Sequence, residues 1–375
     1  MNEIYKARRQ KLADWMSLND ISAVIFVDNE EKRSPEIRYF TNHAEDALLI
    51  ITKKGSSILC PWDENLAKEK AHVDLIIPYT KYELKPIKAS LALLKTLKVP
   101  GKTRVEIPSS TSYPEFLRYV DALADYDVLC NENFAHQFVT NQRQVKDAAE
   151  IKKARKAAEI TNNIIDAIAE ALKKKNAFKT EMDVALFIER SCREHGCEGT
   201  SFPSLVANPS RSFAIHCFPN YTSGAFPASG LSILDFGVNY DGYASDVTLT
   251  IAKGSLSAEQ EKQISLVEKA YDLALPFYAE GTPVKTAAVK VDEFFAKAKR
   301  KMPHSLGHGM GLQIHEAPWI RTKTSSSAVF KAGMIASLEP GLYDPKIGGC
   351  RLENTILITE TGPEPLTRSR VIRLP

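Results

Sequence analysis

Residues 231–251 read LSILDFGVNYDGYASDVTLTI, and this stretch decides the fold of the C-terminal half. Asp241-Gly242 between two β-rich runs is a hairpin signal, because a two-residue turn there needs positive φ at its centre. With those two residues as the loop, Tyr240 pairs with Tyr243, and Asp235 lies opposite Thr248. Alternation along the strands then sorts the side chains. Leu234, Phe236, Val238, Val247, Leu249 and Ile251 share an apolar face, whereas Asp235, Asp246 and Thr248 share the other. The two aspartates become diagonal cross-strand neighbours, roughly 7–8 Å apart at the backbone. A one-residue slip would turn an aspartate into the apolar layer. Taken alone, the ribbon reads equally well as a carboxylate pair for a metal or as a hairpin with its polar face in water.

Two further stretches supply matching chemistry. Residues 303–318, PHSLGHGMGLQIHEAP, bring His304, His308 and His315 together with Gly307, Gly309 and Gly311. Glycines on both sides of His308 permit close backbone approach and unusual φ, although a flexible glycine loop would look similar. Residues 334–341, MIASLEPG, end an apolar strand at Glu339 before a Pro-Gly turn. Residues 348–359, GGCRLENTILIT, place Arg351 and Glu353 on one face of a strand, where a surface charge pair is the plainer reading. Asp235, Asp246, His308, Glu339 and Glu353 are hard-to-borderline ligands suited to divalent cations. Should the five converge, four crowded carboxylates would repel one another and take up protons, and two dications would offset that charge.

Composition narrows the rest. The 375 residues are 44% hydrophobic and 25% charged, as in an ordinary globular protein of two domains. A net charge of +3 argues against nucleic acid or anionic membrane as a partner. No apolar run approaches a membrane span, and the charged N-terminus lacks a signal-peptide core. Six irregularly spaced cysteines then imply reduced thiols and a cytoplasmic location. Strand and helix patterns alternate through residues 4–130, an α/β domain of residues 1–140. The remainder, 141–375, reads as α+β, with helices over 145–174, 181–194, 258–274 and 284–301.

The ordered motifs Asp235-Phe-Gly, Ser245-Asp246, Gly307-His308-Gly-Met-Gly, Leu338-Glu339-Pro-Gly and Arg351-Leu-Glu353 resemble those of the pita-bread metallopeptidases. That group includes aminopeptidase P, prolidase, methionine aminopeptidase and the metal-free creatinase. The resemblance implies a creatinase-like N-terminal α/β domain followed by an α+β pita-bread catalytic domain. It implies two divalent metal ions (manganese first, cobalt or zinc as alternatives) on Asp235, Asp246, His308, Glu339 and Glu353. Water activated by those ions would attack the scissile carbonyl, with Glu339 as proton shuttle. His216 and His315 match the substrate-binding histidines, His304 has a counterpart in proline-specific members, and Arg351 would orient carboxylates or substrate. The N-terminal domain favours Xaa-Pro dipeptidases and aminopeptidases, acting on peptides with proline second, over methionine aminopeptidases. It also implies a homodimer. The intact ligand set disfavours a non-catalytic binding protein or a creatinase-like amidinohydrolase.

Overall fold

The computed structural model describes residues 2–174 and 177–375. The chain divides into two compact units between Gln142 and Arg143.

The first unit is built on a six-stranded sheet ordered Leu75–Ile76, Ser57–Pro61, Ala47–Thr52, Ile21–Asp28, Arg104–Glu106, Asp127–Leu129. The central Ile21–Asp28 strand runs antiparallel to Ala47–Thr52 and parallel to Arg104–Glu106. A strand flanked on both sides and covered on both faces must be apolar throughout, and all six residues of Ala47–Thr52 are buried. The Pro86–Thr96 and Tyr113–Ala122 helices pack Leu93, Leu94 and Tyr119 against Ile25, Leu48, Ile50 and Val105.

In the second unit, seven strands form an antiparallel path: Glu316–Ile320, Gly307–Gly309, Ile335–Leu338, Glu353–Thr359, Val247–Lys253, Gly230–Phe236, Leu205–Ala207. Two more strands, Gly362–Pro365 and Val371–Leu374, complete the nine-stranded sheet. The hairpin register is the one the sequence implies: Tyr240 opposes Tyr243, Asp235 opposes Thr248, and Leu234 opposes Leu249. Asp241 and Gly242 both take positive φ, 47° and 84°. All six residues of the hairpin's apolar face are buried against Ile160, Ile164, Ile168, Val184 and Ile188 of the Ala148–Leu172 and Glu181–Glu194 helices. Burying six such side chains contributes on the order of 10 kcal/mol, which holds the register. The Ala258–Ala274 and Lys285–Lys297 helices cover the same face farther along, against Leu338, Ile356 and Ile358. The opposite face is left for polar residues.

Two helix expectations need correction. The helix expected over 145–174 begins instead at Ala148, because Asp147 caps it: its carboxylate accepts the Ala149 and Glu150 N–H groups, and Glu150 returns the bond. Val145 and Lys146 pair with the backbone around Gly333 and Met334. A separate helix, Ala135–Gln144, precedes the one that starts at Ala148. The helix expected over 284–301 runs Lys285–Lys297 and stops where Lys299 enters positive φ. Among the described residues, no helix is long and apolar enough to cross a membrane.

Candidate metal centre

Register alone places most of the site. Asp235, Asp246, Thr248, His308, Ser337 and Glu353 fall on the polar face of the nine-stranded sheet, opposite the helices. Gly237, across from Asp246, lies where the hairpin passes out of this sheet. A Cβ there would sit 1.8 Å from the Ser245 carbonyl, so only glycine lets the two aspartates approach. The glycines around His308 follow the same logic. A Cβ on Gly307 would lie 2.1 Å from the Ser337 carbonyl, and one on Gly309 would lie 2.2 Å from the Ala317 carbonyl. Both have ordinary φ, so close approach and not backbone freedom requires them.

All nine residues singled out from the sequence line one cavity of about 390 Å³. His308 donates from Nδ1 to the Gly309 carbonyl at 3.1 Å, which leaves Nε2 as a bare lone pair. That nitrogen lies 3.6 Å from Asp246 Oδ2 and 3.6 Å from Glu339 Oε1. Ligand atoms of Asp246, His308 and Glu353 all lie within 4.8 Å of one another. Such gaps are too long for hydrogen bonds. They suit donors around a shared cation, where bonds of about 2.1 Å put neighbouring ligands about 3–3.5 Å apart.

Electrostatics agree with that reading. Asp235, Asp246 and Glu353 are buried, and Glu339 is only slightly exposed. Burial, and then the neighbouring carboxylates, push Asp246 and Glu353 well above the usual carboxylate range. Burial raises Glu339 to about 7 against the opposing pull of Arg351. His308 is lowered to about 4, first by burial and then by His315, so its imidazole is neutral and ready to ligate. Arg351 Nη2 bonds Asp235 Oδ2 at 2.6 Å, offsetting one of the four negative charges. Asp235 Oδ1 and Asp246 Oδ1 are buried without a hydrogen-bond partner, and a buried orphan of this kind is costly. Three uncompensated carboxylates, two orphaned oxygens and one free imidazole nitrogen fit divalent cations.

A polar network frames these groups. The Thr248 hydroxyl donates to Glu353 Oε2 at 2.7 Å and accepts from Arg351 Nε at 2.9 Å. Arg351 Nη1 donates to the Tyr343 hydroxyl at 2.8 Å, which reaches His304 Nε2 at 2.9 Å. His304 Nδ1 then donates to the Ser305 carbonyl at 2.8 Å. Neither Tyr343 nor the bridging part of Thr248 was read from the sequence. Thr248 stood on the right face with nothing to name its partners, and Tyr343 is one aromatic in the mixed stretch GLYDPKI, residues 341–347.

The two remaining histidines sit on irregular backbone and are exposed to the cavity. His315 has its ring centroid 4.4 Å from that of His308 and stacks at 19° on Trp319, 6.0 Å away. Burial and then His216 lower its pKa. His216 belongs to the segment between the Leu205–Ala207 and Gly230–Phe236 strands. That segment is pinned from the start of the Glu181–Glu194 helix. The fully buried Glu181 carboxylate accepts from Asn208 N, Thr222 N and Arg211 Nη1 at 2.7–2.9 Å. Arg211 in turn reaches Cys217 Sγ, beside His216, at 2.8 Å.

Residues 152–360 match the metallopeptidase family M24, and residues 8–127 match the creatinase/prolidase N-terminal domain. A Xaa-Pro dipeptidase of Pyrococcus horikoshii is 28% identical over 98% of each chain. The solved prolidase from the same organism superposes with a TM-score of 0.82 at 26% identity, covering 97% of this chain and 99% of that one. An X-Pro aminopeptidase of Thermotoga maritima gives 0.80 at 25% identity, covering 94% and 97%. A creatinase-type N-terminal domain, an M24 catalytic domain and a carboxylate–imidazole cluster on one sheet face together make this chain a peptidase of the M24 aminopeptidase P/prolidase family.

Proposed function

We propose that this peptidase hydrolyses the bond before proline, in Xaa-Pro dipeptides or at the N-terminus of Xaa-Pro peptides. Asp235, Asp246, His308, Glu339 and Glu353 would hold two divalent cations, manganese first and cobalt or zinc as alternatives. When bound, such cations lower the pKa of water and polarise a carbonyl. The observation that carries the reading is the meeting of those five side chains in one cavity with His216, His304, His315 and Arg351.

Glu339 stands at the mouth of the carboxylate cluster, 3.6 Å from His308 and 3.8 Å from His304. Its carboxylate takes a proton from the attacking water and returns it to the leaving nitrogen. His216 and His315 line the same space and donate to the oxygen that gains charge in the tetrahedral intermediate. Arg351 holds Asp235 in place, and its fork is held by Thr248 and Tyr343. Phe202, Ile215, Phe218 and Trp319 give apolar walls, which suit a tertiary amide that offers no N–H beside a fixed ring. The names of the Pyrococcus and Thermotoga relatives support proline as the second residue. All six cysteines are free, which supports a reducing compartment.

The test is turnover of metal-reconstituted protein on Gly-Pro and on a longer Gly-Pro-initiated peptide. Cleavage of the dipeptide alone makes it a dipeptidase, and release of glycine from the longer chain makes it an aminopeptidase. No cleavage of either with manganese, cobalt or zinc refutes the proposal.

A further inference from the structure

Behind the His315 loop lies an ion cluster that takes no part in the chemistry above. Arg143, Lys146 and Glu316 have side chains only 4%, 1% and 5% exposed. Arg143 Nη2 pairs with Glu316 Oε1, and Lys146 Nζ lies 3.4 Å from Glu316 Oε2. Burying three charges is expensive, and well-packed apolar residues would hold the fold at least as well. What the ions add is direction.

Glu316 follows His315 in the chain, and its carboxylate folds back under the loop. Its Oε1 accepts the Gln313 N–H at 3.0 Å, and Arg143 Nη2 also donates to the Gln313 side-chain oxygen at 3.1 Å. Gly311 closes the turn, with its N–H on the Gln313 carbonyl at 3.0 Å. A Cβ on Gly311 would meet the Glu316 carboxylate and Lys146 Cε at 3.0 Å, so the loop is drawn down on the cluster. Lys146 is anchored in turn, since its backbone N–H donates to the Gly333 carbonyl at 2.9 Å, next to the Ile335–Leu338 strand. On the cavity side, His308 pairs with Trp319 across the strands, so His315 is held between two residues in register with each other.

We propose that Glu316, clamped by Arg143 and Lys146, is a positioning residue that aims the His315 imidazole at the reacting carbonyl. The inference rests on the reading of His315 as a transition-state donor. It explains why an exposed histidine on irregular backbone has three buried charges beneath it.

Glu316→Gln keeps the size and removes the charge. Deuterium exchange followed by mass spectrometry on the metal-loaded and metal-free protein should show faster uptake in residues 310–316 and unchanged uptake elsewhere in the second unit. On Gly-Pro, kcat should fall by roughly 10²-fold with little change in KM, the scale of losing one oxyanion donor. In a His315→Ala background the same substitution should cost nothing more, because both changes remove one contribution. Should Glu316→Gln fail to fold, Arg143→Met supplies the same readouts from the cation side. Wild-type exchange rates in 310–316 overturn the proposal. So do kcat losses that multiply in the double variant, or a lowered melting temperature with unchanged kcat. A wild-type protein without Xaa-Pro turnover refutes the function proposed above, and exchange alone then judges the anchor.

Discussion

Thr248→Val is the sharpest probe of the carboxylate cluster, because it changes one atom of shape and two hydrogen bonds. Thr248 is fully buried, and its hydroxyl sits between Glu353 Oε2 at 2.7 Å and Arg351 Nε at 2.9 Å. Valine keeps the β-branch and suits the strand, so backbone strain is not the issue. Each lost bond to a charged group is worth about 1.5–3 kcal/mol, and the extra buried methyl returns about 1. The net cost is therefore about 2–5 kcal/mol when both partners are charged. Without metal, burial and the neighbouring carboxylates hold Glu353 well above the usual carboxylate range, which favours its uncharged form, so part of that cost is absent. The difference between the two states appears as metal affinity: about 1.5 kcal/mol corresponds to roughly tenfold weaker binding. With about 2 kcal/mol of the cost left in the absence of metal, at about 2–4 °C per kcal/mol for a unit of this size, the metal-free variant should melt about 4–8 °C below metal-free wild type, and the metal-loaded variant should fall farther below its own wild type. Scanning calorimetry with and without manganese, paired with a manganese titration, reads both quantities. Wild-type manganese affinity in Thr248→Val would refute the idea that this hydroxyl holds Glu353 in its charged form.

Three other outcomes are expected. Glu339→Ala should lower kcat on an Xaa-Pro dipeptide by about 10²–10⁴-fold, the usual weight of general acid–base catalysis, and normal turnover would remove Glu339 from the mechanism. Gly237→Ala should cost about 3 kcal/mol or more by urea denaturation, because its Cβ would fall 1.8 Å from the Ser245 carbonyl and force the hairpin apart; unchanged stability would mean the crossing is loose. Glu106, fully buried in the first unit, is raised by burial from 4.5 to about 7 against the Ala135 and His136 N–H groups. A carboxyl raised in the fold contributes stability that is complete below pH 4.5 and lost as pH rises through 7, about 3 kcal/mol in all. Glu106→Gln should therefore flatten the urea midpoint of the first unit between pH 5 and 8, and a curve as steep as wild type would locate the pH dependence elsewhere.

How much of this could be read beforehand depended on the range of the interactions involved. The hairpin was legible because one dipeptide sets the loop and alternation does the rest, down to Asp235 opposite Thr248. Glu181–Glu194 and Ala258–Ala274 were legible because each carries its own N-cap, Thr180 and Ser257, ahead of a periodic apolar face. The start of the 148–172 helix was misjudged because the run from Val145 is helix-prone in composition. Asp147 overrides that preference by satisfying two orphan N–H groups, and Val145 is claimed by a bridge to Met334 some 190 positions away. Tyr343 was invisible for a related reason. Its hydroxyl joins Arg351, a neighbour across the short Gly341–Asp344 and Gly348–Arg351 hairpin, to His304, 39 positions upstream, and no local pattern announces that second contact.

The site combines two kinds of support, and the division has a physical basis. Asp235, His308 and Glu353 stand on strands, and Asp246 immediately precedes one, so their separations are set by a register that buried apolar partners on the reverse face hold. In the function proposed above, His216 and His315 reach instead from the cavity wall toward a substrate. They ride on irregular segments, where apolar packing cannot fix direction. Each segment is tied down by one buried glutamate: Glu181 through Arg211, and Glu316 through Arg143 and Lys146. A carboxylate that accepts several N–H donors at once constrains backbone orientation more tightly than an equal volume of methylene. The buried ions outside the carboxylate cluster thus serve the same site as the cluster itself, by stiffening the two loops that must not drift.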